Sequence, residues 1–240
     1  MHIYRSQQPL VCMLPLQPPG LPPVDSAAQP PAHDSVTGSY TTDDDTLSRL
    51  AAAAVKRQQY SQALHLLDQL VERHPQRAMY YSNRGLVQLW LGQPYAALAD
   101  CDRAIRLNPD LDQAYNNRAM CHAALGDLPA ALDDYEQAVD LNPFNGRARI
   151  NMGATLRQMG ALDRALDCFD EALMFHQLPE FIYAERGRTY HLRGDWNCAI
   201  ADYRRTLTAA AARQSSDQLQ ALTQRVKRWV EELLPQQNWA

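Results

Sequence analysis

Cysteine is scarce and odd in number. The five, Cys12, Cys101, Cys121, Cys168 and Cys198, show no Cys-x-x-Cys spacing, so neither a disulfide framework nor a thiolate zinc site is indicated. A reducing, cytoplasmic setting fits them. Lysine is scarcer still: Lys56 and Lys227 stand alone among 23 basic residues, which with the richness in alanine suggests a GC-rich bacterial genome. Long apolar runs are missing. The longest near the start, residues 10–16, is broken by Pro15 and falls far short of the roughly 18 residues of a membrane span. Neither insertion into a membrane nor a secretory signal is expected, and Cys12, preceded by Val11 rather than a small residue, does not read as a lipidation site. An excess of either charge is also missing. A net charge of -4, with both signs mixed along the chain, lacks the footprint of a nucleic-acid binder. Phosphate-loop, dinucleotide, zinc-protease and serine-nucleophile motifs are all lacking. The seven histidines are scattered without metal-ligand spacing. Of the paired carboxylates, Asp133-Asp134 belongs to a solvated helix face and the Asp43 to Asp45 run to a helix start. No enzyme, cofactor or metal is expected.

What is abundant is periodic. Eight of the fifteen prolines fall in the first 31 residues, a segment with too little apolar surface to offset its ordering entropy. Residues 1–43 are expected to be a disordered, proline-rich tail, serving as a linker or docking elsewhere. Beyond it, Gly92, Gly126, Gly160 and Gly194 recur every 34 residues, as do Pro75, Pro109 and Pro143 and the alanines Ala63, Ala97, Ala131, Ala165 and Ala199. A period of this length means tandem supersecondary units. The units run 44–77, 78–111, 112–145, 146–179 and 180–211. Position 8 of each is small (Ala51, Gly85, Ala119, Gly153, Gly187), as suits two short antiparallel helices in close approach. Glycine at position 15 ends the first helix and proline at position 32 ends the second.

These residues resemble the tetratricopeptide repeat family. The clearest unit reads Ala114-Tyr115-Asn116-Asn117-Arg118-Ala119, Leu125-Gly126-Asp127, Ala130-Ala131-Leu132-Asp133-Asp134-Tyr135, Ala138 and Leu141-Asn142-Pro143. The resemblance covers about 44–211 and departs at the ends, with Gln58 in place of glycine and no proline in the last unit, as expected of terminal repeats. It implies an all-α, right-handed superhelical solenoid of five helix pairs. Leu219, Leu222, Val226, Trp229, Val230 and Leu233 follow at helical spacing, predicting a C-terminal capping helix over 215–234. Thr42 with Asp45 suits the start of the first helix.

With position 4 taken as inward, positions 7, 8 and 11 stay near it, while 2, 6, 9 and 13 point the opposite way and line a groove. Tyr81, Tyr115, Tyr183, His122 and Tyr190 are then core. Position 6 carries Asn83, Asn117 and Asn151, a carboxamide ladder able to pair with the backbone of an extended peptide, and such ladders hold peptide in other grooves of this family. Met79, Leu86, Trp90 and Met120 make the early groove apolar. Arg147, Arg157, Arg188 and His191 make the later groove basic, unless the arginines pair with neighbours such as Glu185. Trp90 is the expected anchor, and Trp196 is expected to pack between helices. Some family members clamp a chaperone's terminal carboxylate, but Met79 and Asn151 stand where that clamp has basic residues. The expected function is that of a noncatalytic adaptor or assembly factor, monomeric, gripping an extended partner segment that is apolar and then acidic. A scaffold working through its convex face or tail, and a homo-oligomer paired through the last helix, remain open as alternatives.

Overall fold

The protein's structure, a computed structural model, describes residues 43–175, 178–212 and 217–233. Eleven helices and no strand occur among them: α1 (Asp44–Lys56), α2 (Tyr60–Arg73), α3 (Ala78–Trp90), α4 (Pro94–Leu107), α5 (Asp112–Leu125), α6 (Leu128–Leu141), α7 (Gly146–Gln158), α8 (Leu162–Met174), α9 (Pro179–Arg193), α10 (Trp196–Ala212) and α11 (Asp217–Leu233). Five helix pairs and a final helix are therefore present, in the order that the 34-residue period predicts. The tail expected over 1–43 lies, but for Asp43, outside the described residues, and so do Thr42 and Gln177. Contacts group the described chain into two compact units, 43–117 and 118–233, with the boundary inside α5.

Local chemistry sets the helix ends. Asp43 caps α1, its carboxylate accepting from the Thr46 amide at 2.7 Å, so the cap is this aspartate rather than Thr42. Asp127 accepts from the Ala130 amide at 3.2 Å and Asn145 from that of Ala148 at 3.0 Å. At position 15 the four glycines have φ between +74° and +91°, the left-handed geometry that turns the chain after a first helix. Gln58 does the same work at φ 58°, against the Cβ penalty that glycine escapes.

Close packing within each pair explains the small residues at position 8. A Cβ on Gly153 would stand 2.8 Å from two ring carbons of Phe169, and one on Gly187 would stand 2.9 Å from the ring of Tyr203. In the unit 43–117, α1 packs on α2, α2 on α3 and α3 on α4, around Leu47, Ala51, Leu67, Leu70 and Val87. In the unit 118–233 each helix from α6 to α11 packs on the next, and α9 also meets α11. Tyr135, Phe169 and Tyr203 are its largest fully buried side chains, each worth about 1.5–3 kcal/mol of apolar burial. Leu219, Leu222, Val226 and Leu233 of α11 are buried too, so this helix closes its unit as the sequence predicts.

A single inward direction centred on position 4 does not survive. Tyr81, Tyr115 and Tyr183 are half-buried, whereas position 5 (Ser82, Asn116, Ile150, Ala184) and position 10 (Val87, Cys121, Thr155, Thr189) are buried. The first helix of an inner repeat packs on its own partner helix and on neighbouring repeats, so no single side of it belongs to solvent.

Candidate functional site

Position 6 was expected to present a row of carboxamides. In the unit 43–117, Asn83 of α3 is half-buried, and its Oδ1 accepts from Gln113 Nε2 of α5 at 3.0 Å. The bond leaves the Asn83 amide group as a donor and the Gln113 carbonyl as an acceptor with no partner among the described residues. Together they offer the complement of a peptide unit. Gln113 was not singled out from the sequence, although it stands at position 2, a register read there as lining the groove. Asn117 is different. Only 1% of it is exposed, its Nδ2 donates to the Ser82 carbonyl at 3.1 Å and to Ser82 Oγ at 3.0 Å, and its Oδ1 accepts from Asn116 at 3.3 Å. That carboxamide fastens α5 to α3 and is not presented for a ligand. In the other unit Asn151 of α7 is half-buried, and its backbone carbonyl accepts from Thr155 Oγ1 at 2.9 Å.

The apolar set contracts for the same reason. Trp90, expected as an exposed anchor, packs on Tyr60 with ring centroids 5.3 Å apart, beside the core of the first two pairs. Its indole nitrogen is buried with no hydrogen-bond partner among the described residues. Tyr60 belongs to α2, one repeat earlier, which is why no spacing within α3 reveals the contact. Leu86 and Met120 are buried, and Met79 remains half-buried against Ala104, Leu111 and Ala114. Trp196, expected between helices, is exposed at the start of α10. His122 is half-buried, 3.8 Å from Asp134.

Within the unit 118–233, Arg157, Arg188 and His191 of the basic set gather near Glu185 and α11. Arg157 of α7, 8% exposed, donates to Glu185 Oε2 at 2.7 Å and to the Glu185 carbonyl at 3.0 Å. Arg225 of α11 holds the other carboxylate oxygen at 2.5 Å. Burial by itself would raise this carboxyl, but Arg225 and Arg157 outweigh it and hold Glu185 below its ordinary value. Arg157 is thus a buried tie between α7 and α9, as its pairing with Glu185 would require, and not an open ligand contact. Arg188 of α9 pairs with Glu232 of α11 at 2.6 Å, lies 3.2 Å from His191 Nδ1 and stacks 5.4 Å from the Trp229 ring centre. His191 is held below its ordinary value by burial and by Arg188. Burial likewise pushes the Arg147 guanidinium, on α7, down to about 10.

A second charged pattern went unread in the sequence. Arg84 grips Asp100 through two bonds of 2.7 and 2.8 Å and reaches Asp68 at 3.0 Å. Arg118 grips Asp134 at 2.8 and 2.7 Å. Arg186 grips Asp202 at 2.7 and 3.0 Å and Asp170 at 2.5 Å. Each bidentate pair joins position 7 to position 23 of one repeat, and the residues alone signal it as arginine and aspartate 16 apart. Where position 7 is apolar, at Leu50 and Met152, position 23 is Leu66 and Cys168. The pattern ties first helix to second helix and is structural. Among the described residues no group of acidic, histidine and cysteine side chains could hold a metal, and no helix is long and apolar enough to cross a membrane.

Antiparallel helix pairs repeated every 34 residues, with small residues at their crossings and a helix closing the end, define an α-helical repeat protein. The chain is a tetratricopeptide repeat protein. Two family models described as tetratricopeptide repeat match it, one over 78–111 and 113–145 and the other over 45–77. No curated protein matches the chain in sequence. Solved structures resemble it in fold. TTC0263, a thermophilic TPR protein of Thermus thermophilus, is 22% identical, with a TM-score of 0.69 over 78% of this chain and 98% of its own. YrrB, described as a TPR protein with an unusual peptide-binding site, is 19% identical, with a TM-score of 0.51 over 78% and 92%. MamA is 16% identical, with a TM-score of 0.54 over 69% and 90%. The fold is that of a protein-interaction module.

Proposed function

We propose that the protein is a noncatalytic adaptor or assembly factor that binds an extended segment of a partner protein through its first helices. The observation that carries this reading is the Asn83–Gln113 pair, which keeps one amide donor and one carbonyl acceptor open beside half-buried Met79. A strand-like segment has alternating donors and acceptors to meet them. YrrB, of the same fold, is described as having a peptide-binding site. Arg147, Asn151, Arg188 and His191, all half-buried, favour an acidic stretch in the ligand. The apolar stretch rests on Met79, because Leu86, Met120 and Trp90 are engaged in packing. Cys101, Cys121, Cys168 and Cys198 are free thiols, in keeping with work in the cytoplasm.

The test is capture of partners from the native host by the full chain and by a variant with Asn83, Gln113 and Asn151 changed to alanine, read by mass spectrometry. Asn117 is left intact because its loss would loosen α5 from α3. A partner held by the wild type and lost by the folded variant supports binding at these faces. A partner that persists overturns it and turns attention to the 1–42 segment and the outer helices.

A further inference from the structure

The pairing of Arg188 with Glu232 has no structural necessity. Helix α11 is already fixed by the buried side chains of Leu219, Leu222, Val226 and Leu233, by Trp229 stacked 5.8 Å from Tyr203, and by Arg225 on Glu185. Glu232 is about half exposed and reaches Arg188 from the rim of the helix. Arg188 is oriented without it, by the face of Trp229 and by His191. A guanidinium held in place by other contacts exchanges one carboxylate for another with little reorganisation. The neighbouring arginines are not available in this way. The side chains of Arg157 and Arg225 are only 8% and 13% exposed, and they share the one carboxylate of Glu185. The Arg157, Arg225, Arg188, Glu185 and Glu232 cluster thus carries three cationic side chains against two carboxylates, and its only half-exposed carboxylate sits on Arg188.

We infer that α11 carries a built-in competitor: Glu232 occupies on Arg188 the place that a carboxylate of an acidic peptide ligand takes, so the internal pair and the ligand contact exclude one another. This rests on the reading of the α9 face as a binder of acidic segments. A single rim pair is a weak incumbent, so the ligand displaces it at modest cost, and its presence tunes affinity and rejects neutral segments. The helix itself stays packed throughout.

Binding of a fluorescein-labelled hexaglutamate amide and of its hexaglutamine counterpart to the full chain tests this, at about 50 mM salt, where charge contacts are weakly screened. The wild type is expected to prefer the glutamate probe, and Glu232→Gln to tighten it about threefold. Glu231→Gln, an equal charge change at a neighbouring exposed site, is expected to leave the affinity unchanged. In an Arg188→Gln background the Glu232→Gln effect is expected to vanish. If the wild type prefers glutamate but Glu232→Gln binds no tighter, if Glu231→Gln tightens it equally, or if the effect persists without Arg188, the competitor is overturned while the acidic-ligand reading stands. If neither the wild type nor Glu232→Gln prefers glutamate, both fall.

Discussion

The register that carries Asn83 in α3 carries Glu185 in α9, and the two sites have opposite characters. Asn83 meets a second neutral amide, Gln113, and the pair keeps hydrogen-bonding capacity in reserve. Glu185 meets two arginines, and both of its oxygens are occupied beneath α11. Position 6 stays half open at Asn83, whereas at Glu185 a terminal helix seals it. The same helical register therefore keeps polar atoms unpaired in one place and closes a unit in another, and the neighbour decides which.

The comparison breaks most readily at Glu185. Glu185→Ala strands two largely covered guanidiniums, and the unit 118–233 is expected to lose about 3–5 kcal/mol, with α11 becoming sensitive to protease. Asn83→Ala, at the same register, is expected to leave urea midpoints nearly unchanged. Equal losses in the two variants would erase the distinction.

Acid sharpens it next. The Glu185 carboxyl is held below its ordinary 4.5, so the stability it contributes is present above that value and is lost as pH falls through the lower folded-state value. Thermal unfolding below pH 4.5 is expected to fall more steeply for the wild type than for Glu185→Gln. Parallel slopes would show that the arginines do not hold this charge. Asn83 and Gln113 do not titrate, and their replacement is expected to leave the slope alone.

Recognition separates the sites in the other direction. Asn83→Ala combined with Gln113→Ala is expected to weaken a captured partner peptide about tenfold, or about 1.4 kcal/mol, with stability changed by no more than about 0.5 kcal/mol. Calorimetry with the mapped peptide measures the first and denaturant titration the second. Unchanged affinity would remove the amide pair from the site. The smallest effect belongs to the first repeat. Gln58 at φ 58° stands where later repeats have glycine, and Gln58→Gly is expected to stabilise the unit 43–117 by about 0.5–1 kcal/mol. A loss on that change would mean that the Gln58 side chain does work that its backbone geometry does not reveal.

Much of this architecture was legible in advance. Position 8 glycines anticipated the approach of Phe169 to Gly153 and of Tyr203 to Gly187, because only a missing Cβ admits an aromatic ring at that distance. The spacing of Leu219, Leu222 and Val226 anticipated α11. The site was less legible. Trp90 looked like an anchor, since exposure was read from rotation around one helix, and Tyr60 comes from the preceding repeat. Asn117 looked equivalent to Asn83, but Ser82 lies against it and absorbs its amide. The arginine–aspartate pairs could have been found from their 16-residue spacing, which falls outside the helical and strand periods by which patterns are usually sought.

By itself, the sequence determined whatever depends on short range and on repetition: helix lengths, the glycine turns, the small residues at crossings and the closing helix. These follow from backbone sterics and from a 34-residue period that each repeat restates. Only the tertiary structure decided which side chain of each register keeps polar atoms unpaired. Asn83, Asn117 and Glu185 share one position, yet Gln113, Ser82 and the pair Arg157 and Arg225 give them three different fates. A polar group's availability is set by the atoms packed against it, and in a stack of helices those atoms come from other repeats.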